Sequence, residues 1–95
     1  MKKSFDVDII IPTYNSKKFI LRTIKSVFNQ TYKSWRLIIV DDASTDGSIH
    51  IANHYAARDK RIKVFRNAKN RGVANTRNQC ITYAQGNIFC VQDAD

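Results

Sequence analysis

Leu37-Ile38-Ile39-Val40-Asp41-Asp42-Ala43-Ser44-Thr45-Asp46-Gly47 is the stretch that decides the fold. Leu37 to Val40 is a short, unbroken apolar run with no in–out alternation. That pattern predicts a strand covered on both faces, as in a parallel sheet. The residues after it are loop chemistry, with several candidate helix N-caps among Asp, Ser and Thr. Upstream, Val7 to Ile11 is a second apolar run, interrupted by Asp8 and ended by Pro12, which cannot donate to a ladder. Asn15 or Ser16 can cap the helix that follows. Its stripe is Ile20, Ile24, Val27 and Phe28, at i, i+4, i+7 and i+8.

Downstream, Ile49, Ala52 and Ala56 mark a second helix face, with Ile51 and Tyr55 beside it. Ile62-Lys63-Val64-Phe65 alternates like a strand with one wetter side. Asn70-Arg71-Gly72 opens a third helix with the stripe Val73, Arg77, Cys80, Ile81 and Ala84. Gly86 stands where a helix C′ glycine belongs, and Ile88 to Val91 reads as a fourth strand. The order β-α-β-α-β-α-β predicts an α/β, Rossmann-like three-layer α/β/α fold with a mainly parallel sheet. Right-handed crossovers favour strand order 3-2-1-4. The order reverses between the first and fourth strands, which opens a crevice at the C-terminal strand ends. Three loops should converge there: Pro12-Thr13-Tyr14-Asn15, Asp41-Asp42 and Asp93-Ala94-Asp95.

The totals fit one small domain. A chain of 95 residues buries roughly 60–65% of its unfolded surface, so it folds with little margin. The hydrophobic fraction is 43% and the charged fraction 25%, as in soluble globular proteins. Sixteen Lys and Arg against 8 Asp and Glu give a net charge of +8, which favours polyanions such as nucleotides, or is simply a solvated basic surface. Cys80 and Cys90 sit in apolar company without zinc spacing and read as reduced core residues of a cytoplasmic protein. Met1-Lys2-Lys3 resembles the start of a signal peptide. The apolar run after it is too short for an h-region of ~7–15 residues or a membrane span of ~20.

The loops narrow the chemistry. The first has no glycine, which argues against a G-x-G-x-x-G dinucleotide site, and the P-loop pattern is missing too. Tyr14 offers a ring that can stack on a base, or it packs under the sheet edge. Asp41 and Asp42 can accept from a base or ribose, and one of them is expected to cap the following helix instead. Arg71 and Arg77 lie at the start of the third helix, where a cation meets a phosphate or base. Arg77 is alternatively a buried arginine paired to an Asp. Asn78 can bond loop backbone, while His50 and His54 read as surface residues. Asp93 and Asp95 form a hard oxygen site suited to Mg²⁺ or Mn²⁺, which can hold a diphosphate.

Four motifs together resemble family 2 glycosyltransferases with the GT-A fold. They are Val7 to Asn15, Leu37 to Gly47, Asn70 to Asn78, and Asp93-Ala94-Asp95, the D-x-D element. The resemblance covers essentially the whole chain in the right order. It implies the N-terminal nucleotide-sugar-binding part of a longer enzyme. The loop Pro12, Thr13, Tyr14 and Asn15 would cradle the nucleoside of a UDP-sugar. Asp42 would bond the base, with Asp41 beside it and Arg71 and Arg77 in support. Asp93 would address the ribose, and Asp93 and Asp95 a Mn or Mg ion on the diphosphate. An acceptor hydroxyl, on a glycan or lipid-linked acceptor and activated by a base beyond residue 95, would then attack with inversion. The chain alone is expected to be inactive and to self-associate through uncovered sheet surface. The longer enzyme is expected to be cytoplasmic, or peripheral at the inner membrane face, serving polysaccharide biosynthesis. Two other readings are a non-catalytic nucleotide-binding or assembly module and a nucleic-acid-binding module. Against the latter, the basic residues are dispersed rather than clustered with aromatic platforms.

Overall fold

The computed structural model describes residues 7–91. The elements are β1 (Val7–Thr13), α1 (Lys17–Asn29), β2 (Trp35–Asp41), α2 (Ser48–Ala56), β3 (Ile62–Arg66), α3 (Val73–Tyr83) and β4 (Asn87–Cys90). All strand pairs are parallel and the order is β3-β2-β1-β4, as the sequence predicts. The register sets Thr13 beside Asp41 and Asp41 beside Arg66, so three loops leave the sheet at one level.

Strand pleating sorts the core. Ile9 and Ile11 of β1 and Trp35, Leu37 and Ile39 of β2 face one side, against Ile20, Ile24 and Val27 of α1 and Ala52 of α2. Ile10, Ile38 and Val40 face the other side, against Cys80 of α3. The second face is thin, so α3 depends on polar anchors at both of its ends.

Pro12 does not end β1. The strand runs on to Thr13. Ile10 points its carbonyl at β4, accepting from the Val91 N–H. Alternation therefore aims the Pro12 backbone the same way, and β4 pairing stops at Ile10 with Cys90. No ladder bond is lost there.

Further details depart from the sequence expectation. The buried positions of α3 are Thr76 and Cys80, while Val73 is 62% and Ile81 42% exposed. Gly86 is not a left-handed C′ residue; its N–H and that of Gln85 donate to buried Asp8 instead. β4 lies at the sheet edge with all four residues exposed, among them Cys90, which is not a core residue. Cys80 is buried, and that burial pushes its thiol up to about 12. Neither Asn15 nor Ser16 caps α1 with its own side chain. Asp46, from the β2–α2 loop, accepts from the Lys17 N–H at 3.1 Å, and Ser48 Oγ accepts from the Ser16 N–H at 3.2 Å. Among the described residues no helix is long and apolar enough to cross a membrane.

Candidate nucleotide site

The site is built from the loops after β1, β2 and β3. Asn15 ties the first two together. Its N–H donates to Ser44 Oγ at 2.8 Å, and its Oδ1 accepts from the Thr45 N–H at 2.8 Å. Both loops carry strained backbone, with Asn15 at φ 48° and Ala43 at φ 67°. Asp41 is fully buried. Its Oδ2 accepts from the Ser44 N–H at 2.9 Å and lies 3.7 Å from Arg66 Nε. Asp41 therefore braces the loop and does not cap α2, which starts at Ser48 after Gly47 with no side-chain cap bond, and it does not line the cleft described below.

Asp42 is the hub. It is 2% exposed. Its Oδ1 accepts from Asn67 Nδ2 at 2.8 Å, and its Oδ2 accepts from the Gly72 N–H at 2.9 Å. The Arg71 N–H is shared between the two oxygens at 2.8 and 3.0 Å. Three donors thus meet about four acceptor positions, which leaves capacity for one more. Gly72 at φ 92° presents its N–H in a conformation that a side chain rarely allows. Burial pushes the Asp42 carboxyl up, but the bonds from Asn67, Arg71 and Gly72 outweigh it and hold the group below its ordinary range. The buried Thr76 hydroxyl adds to that lowering without reaching hydrogen-bonding geometry. Asn67 is itself fixed by a reciprocal amide pair with Gln79, at 2.9 and 2.8 Å.

A cleft of about 250 Å³ opens above this hub, lined by Pro12, Thr13, Tyr14, Asp42, Asn70, Gly72, Val73 and Thr76. Tyr14 is 50% exposed, so it is a free ring on the cleft wall and not packed under the sheet. Of the expected nucleotide residues, the structure brings Pro12, Thr13, Tyr14 and Asp42 together. Asn15 stands behind them as a brace. Arg71 contributes its main chain to Asp42 and has an exposed side chain. Arg77 does not line the cleft and forms no ion pair with an Asp among the described residues. It is half-buried, with its charge felt by Cys90. Asn78 is exposed, and Asn75 bonds the loop instead, donating to the Arg71 carbonyl at 2.8 Å. His50 and His54 are exposed on α2 as expected.

Asp93 and Asp95 lie outside the described residues. Among the described residues no group of three or more His, Cys, Asp or Glu stands ready for a metal. Sequence reasoning missed Asn67, Thr76 and Gln79. Asn67 was within reach, since it follows β3 at the same sheet end as Asp41 and Asp42. A larger groove of about 480 Å³ runs between α1 and the β1–β4 side, lined by Val7, Ile9, Trp35 and Phe89 among others. It includes none of the three loops, and the chemistry described here lies away from it.

Comparisons with known proteins bear on the family and the fold. The model of the family described as glycosyl transferase family 2 matches residues 8–95. EpsE of Bacillus subtilis (strain 168), which bears a glycosyltransferase name, is 41% identical over 90 residues, covering 94% of this chain and 32% of that protein. The Escherichia coli UDP-Glc:alpha-D-GlcNAc-diphosphoundecaprenol beta-1,3-glucosyltransferase WfgD is 37% identical over 89 residues, covering 94% and 34%. The chain thus spans about a third of the length of these relatives. The structure of Staphylococcus aureus TarS 1-349 in complex with UDP-GlcNAc superposes with a TM-score of 0.81 at 30% identity, covering 93% of this chain and 26% of that one. Pyrobaculum calidifontis mannosyltransferase PcManGT, in complex with GDP-Man and Mn²⁺, gives 0.74 at 26% identity, covering 83% and 24%. With its cleft at the strand C-termini and its family's model matched from residue 8 to residue 95, this chain belongs to glycosyl transferase family 2.

Proposed function

We propose that this chain forms the donor-nucleotide site of a sugar transferase, taking a UDP-sugar. The observation that carries the reading is the cleft, where an exposed Tyr14 ring stands beside a charged, nearly saturated Asp42 with one acceptor position left. The ring supplies a stacking surface for a base, and the carboxylate accepts one ring N–H. The UDP-GlcNAc complex of TarS and the UDP-Glc donor in the name of WfgD favour a uridine nucleotide.

Metal dependence belongs to the same proposal. It rests on the order of Asp93 and Asp95 after β4 and on the Mn²⁺ in the PcManGT complex. A divalent ion held there would neutralise the departing diphosphate. We further propose that the longer protein transfers with inversion to a glycan or lipid-linked acceptor, using a base outside this chain.

Calorimetric titration of UDP, with and without Mn²⁺, tests the donor reading. The expected result is binding that strengthens with Mn²⁺ and loses that gain in the Asp93→Ala/Asp95→Ala variant. Absence of UDP binding under both conditions would contradict a donor site in this chain. Binding indifferent to metal and to both substitutions would remove the metal from the proposal.

A further inference from the structure

Among the described residues no carboxylate is exposed. The chain has no Glu, and Asp8, Asp41, Asp42, Asp46 and Asp59 are buried or half-buried. Cations are exposed by contrast, and α1 carries Lys17, Lys18, Arg22 and Lys25 with no acidic residue along its length. Lys18, Arg22 and Lys25 stand at i, i+4 and i+7, which makes one stripe. It lies opposite the buried stripe of Ile20, Ile24 and Val27, so it points away from the sheet. The nearby Asp46 is engaged by the Lys17 N–H and by Ser48. At the side of this face Tyr32, 48% exposed, lines a hollow together with Arg22 and Ser26.

We propose that the outward face of α1 docks on an anionic phospholipid bilayer, with Lys18, Arg22 and Lys25 on the headgroups and Tyr32 at the interface. The inference goes beyond the donor-site reading and does not rest on it.

The charge arrangement carries it. Each Lys or Arg brought to an anionic leaflet strengthens binding about fivefold. The stripe brings three of them within about 10 Å of helix axis, and no exposed carboxylate beside them cancels the attraction. A tyrosine suits the headgroup level, where its ring meets apolar chains and its hydroxyl meets water. A nucleic-acid strand calls instead for aromatic platforms in line with the cations. The rings of α1 itself, Phe19 and Phe28, are half-buried, and Phe28 packs on Trp35 and Tyr55. The placement also suits the cleft. Helix α1 starts just after the Pro12 to Asn15 loop and runs back against the strand direction, as a crossover between parallel strands must. A domain lying on a bilayer through this face opens its cleft along the membrane surface, within reach of an acceptor carried on a lipid.

Co-sedimentation with vesicles tests the inference, using phosphatidylcholine and phosphatidylglycerol in equal parts against phosphatidylcholine alone. The expected result is binding to the mixed vesicles only, weakened by salt. Lys18→Gln/Arg22→Gln/Lys25→Gln should weaken it about 100-fold with the thermal midpoint unchanged. Lys60→Gln/Lys63→Gln/Lys69→Gln removes the same charge from exposed positions around β3 and should cost far less. Lys18→Arg/Lys25→Arg should bind as the unsubstituted chain does. No binding to the mixed vesicles, equal binding to phosphatidylcholine alone, or equal losses in the two glutamine triples would overturn the inference. So would a loss that tracks a lowered thermal midpoint or that also appears in the arginine variant. Tighter capture of a single-stranded oligonucleotide through the same three cations would replace the bilayer with nucleic acid. UDP titration reads the donor site separately, and its failure would leave this inference standing.

Discussion

Two buried aspartates hold the two ends of α3, and they do so differently. Asp8, in the middle of the Val7–Ile11 run, accepts from the N–H groups of Gln85 and Gly86 just past the helix. Asp42 accepts from Arg71 and Gly72 just before it. Each is 2% exposed. Asp8 is also met by Arg36 Nε at 3.0 Å, and Arg36 goes on to donate to the Tyr83 carbonyl at 2.7 Å. Among the described residues Asp42 meets only neutral donors, and it opens onto a cleft with acceptor capacity left. The same device is closed at one end of the sheet and left unfinished at the other. A fully satisfied buried pair is structural, while spare acceptor capacity in a cleft marks a place for a ligand.

The comparison breaks if the two clamps respond alike. The largest effect is expected from Asp8→Ala. It strands a largely buried Arg36 and two main-chain N–H groups, costing about 3–5 kcal/mol, a large share of the ~5–15 kcal/mol typical of a domain. Urea denaturation would read it. UDP affinity, measured where the variant is still folded, should hold. Asp42→Asn should reverse that pattern, with a stability loss of only about 1–3 kcal/mol but at least a tenfold weaker UDP complex. If Asp42→Asn proves the more destabilising and Asp8→Ala the more damaging to binding, the division of roles is wrong.

Acid sharpens the contrast. For Asp8, burial pushes the carboxyl up, but the bonds from Gly86, Gln85 and Arg36 outweigh it, so this group, like Asp42, is held below its ordinary range. A lowered folded-state value means that the stability is complete well above pH ~4. It is lost as pH falls through ~4 toward the folded-state value. Urea midpoints followed from pH 6 downward should fall below pH ~4, and either Asp8→Ala or Asp42→Asn should flatten that fall. A midpoint that does not drop on acidification would count against both clamps. The smallest expected effect is Ala43→Gly, which relieves a φ of 67°. It should shift stability by no more than about 1 kcal/mol in the favourable direction, since relief of strain is offset by lost chain stiffness. A clear loss of stability would show that the Ala43 methyl matters to the loop.

Much of this was legible because periodicity is a strong signal where cores are apolar. The runs around Ile9 and Ile38 and the stripe Ile20, Ile24 and Val27 fixed the sheet order and the first helix face. The loops at Pro12 to Asn15 and Asp41-Asp42 followed from topology. The third helix was the exception. Its expected stripe caught Cys80 and Ala84 but missed Thr76 and took in the exposed Val73 and Ile81, while Gln79 is turned to Asn67. A helix anchored by polar pairs leaves only a short apolar stripe to read. Gly86 misled for a related reason, since its N–H was recruited by Asp8 across 78 residues. From residue types alone, which of Asp41 and Asp42 faces the cleft was open, because neighbours on a strand end differ only in the side to which they point; the family resemblance named Asp42.

The most direct test is amide-resolved ¹H–¹⁵N NMR of the chain titrated with UDP. The account predicts shifts at Thr13, Tyr14, Arg71, Gly72 and Thr76, with Gln85 and Gly86 at the Asp8 end unmoved. Shifts centred on Gln85 and Gly86, or none at the Asp42 end at saturating UDP, would contradict it.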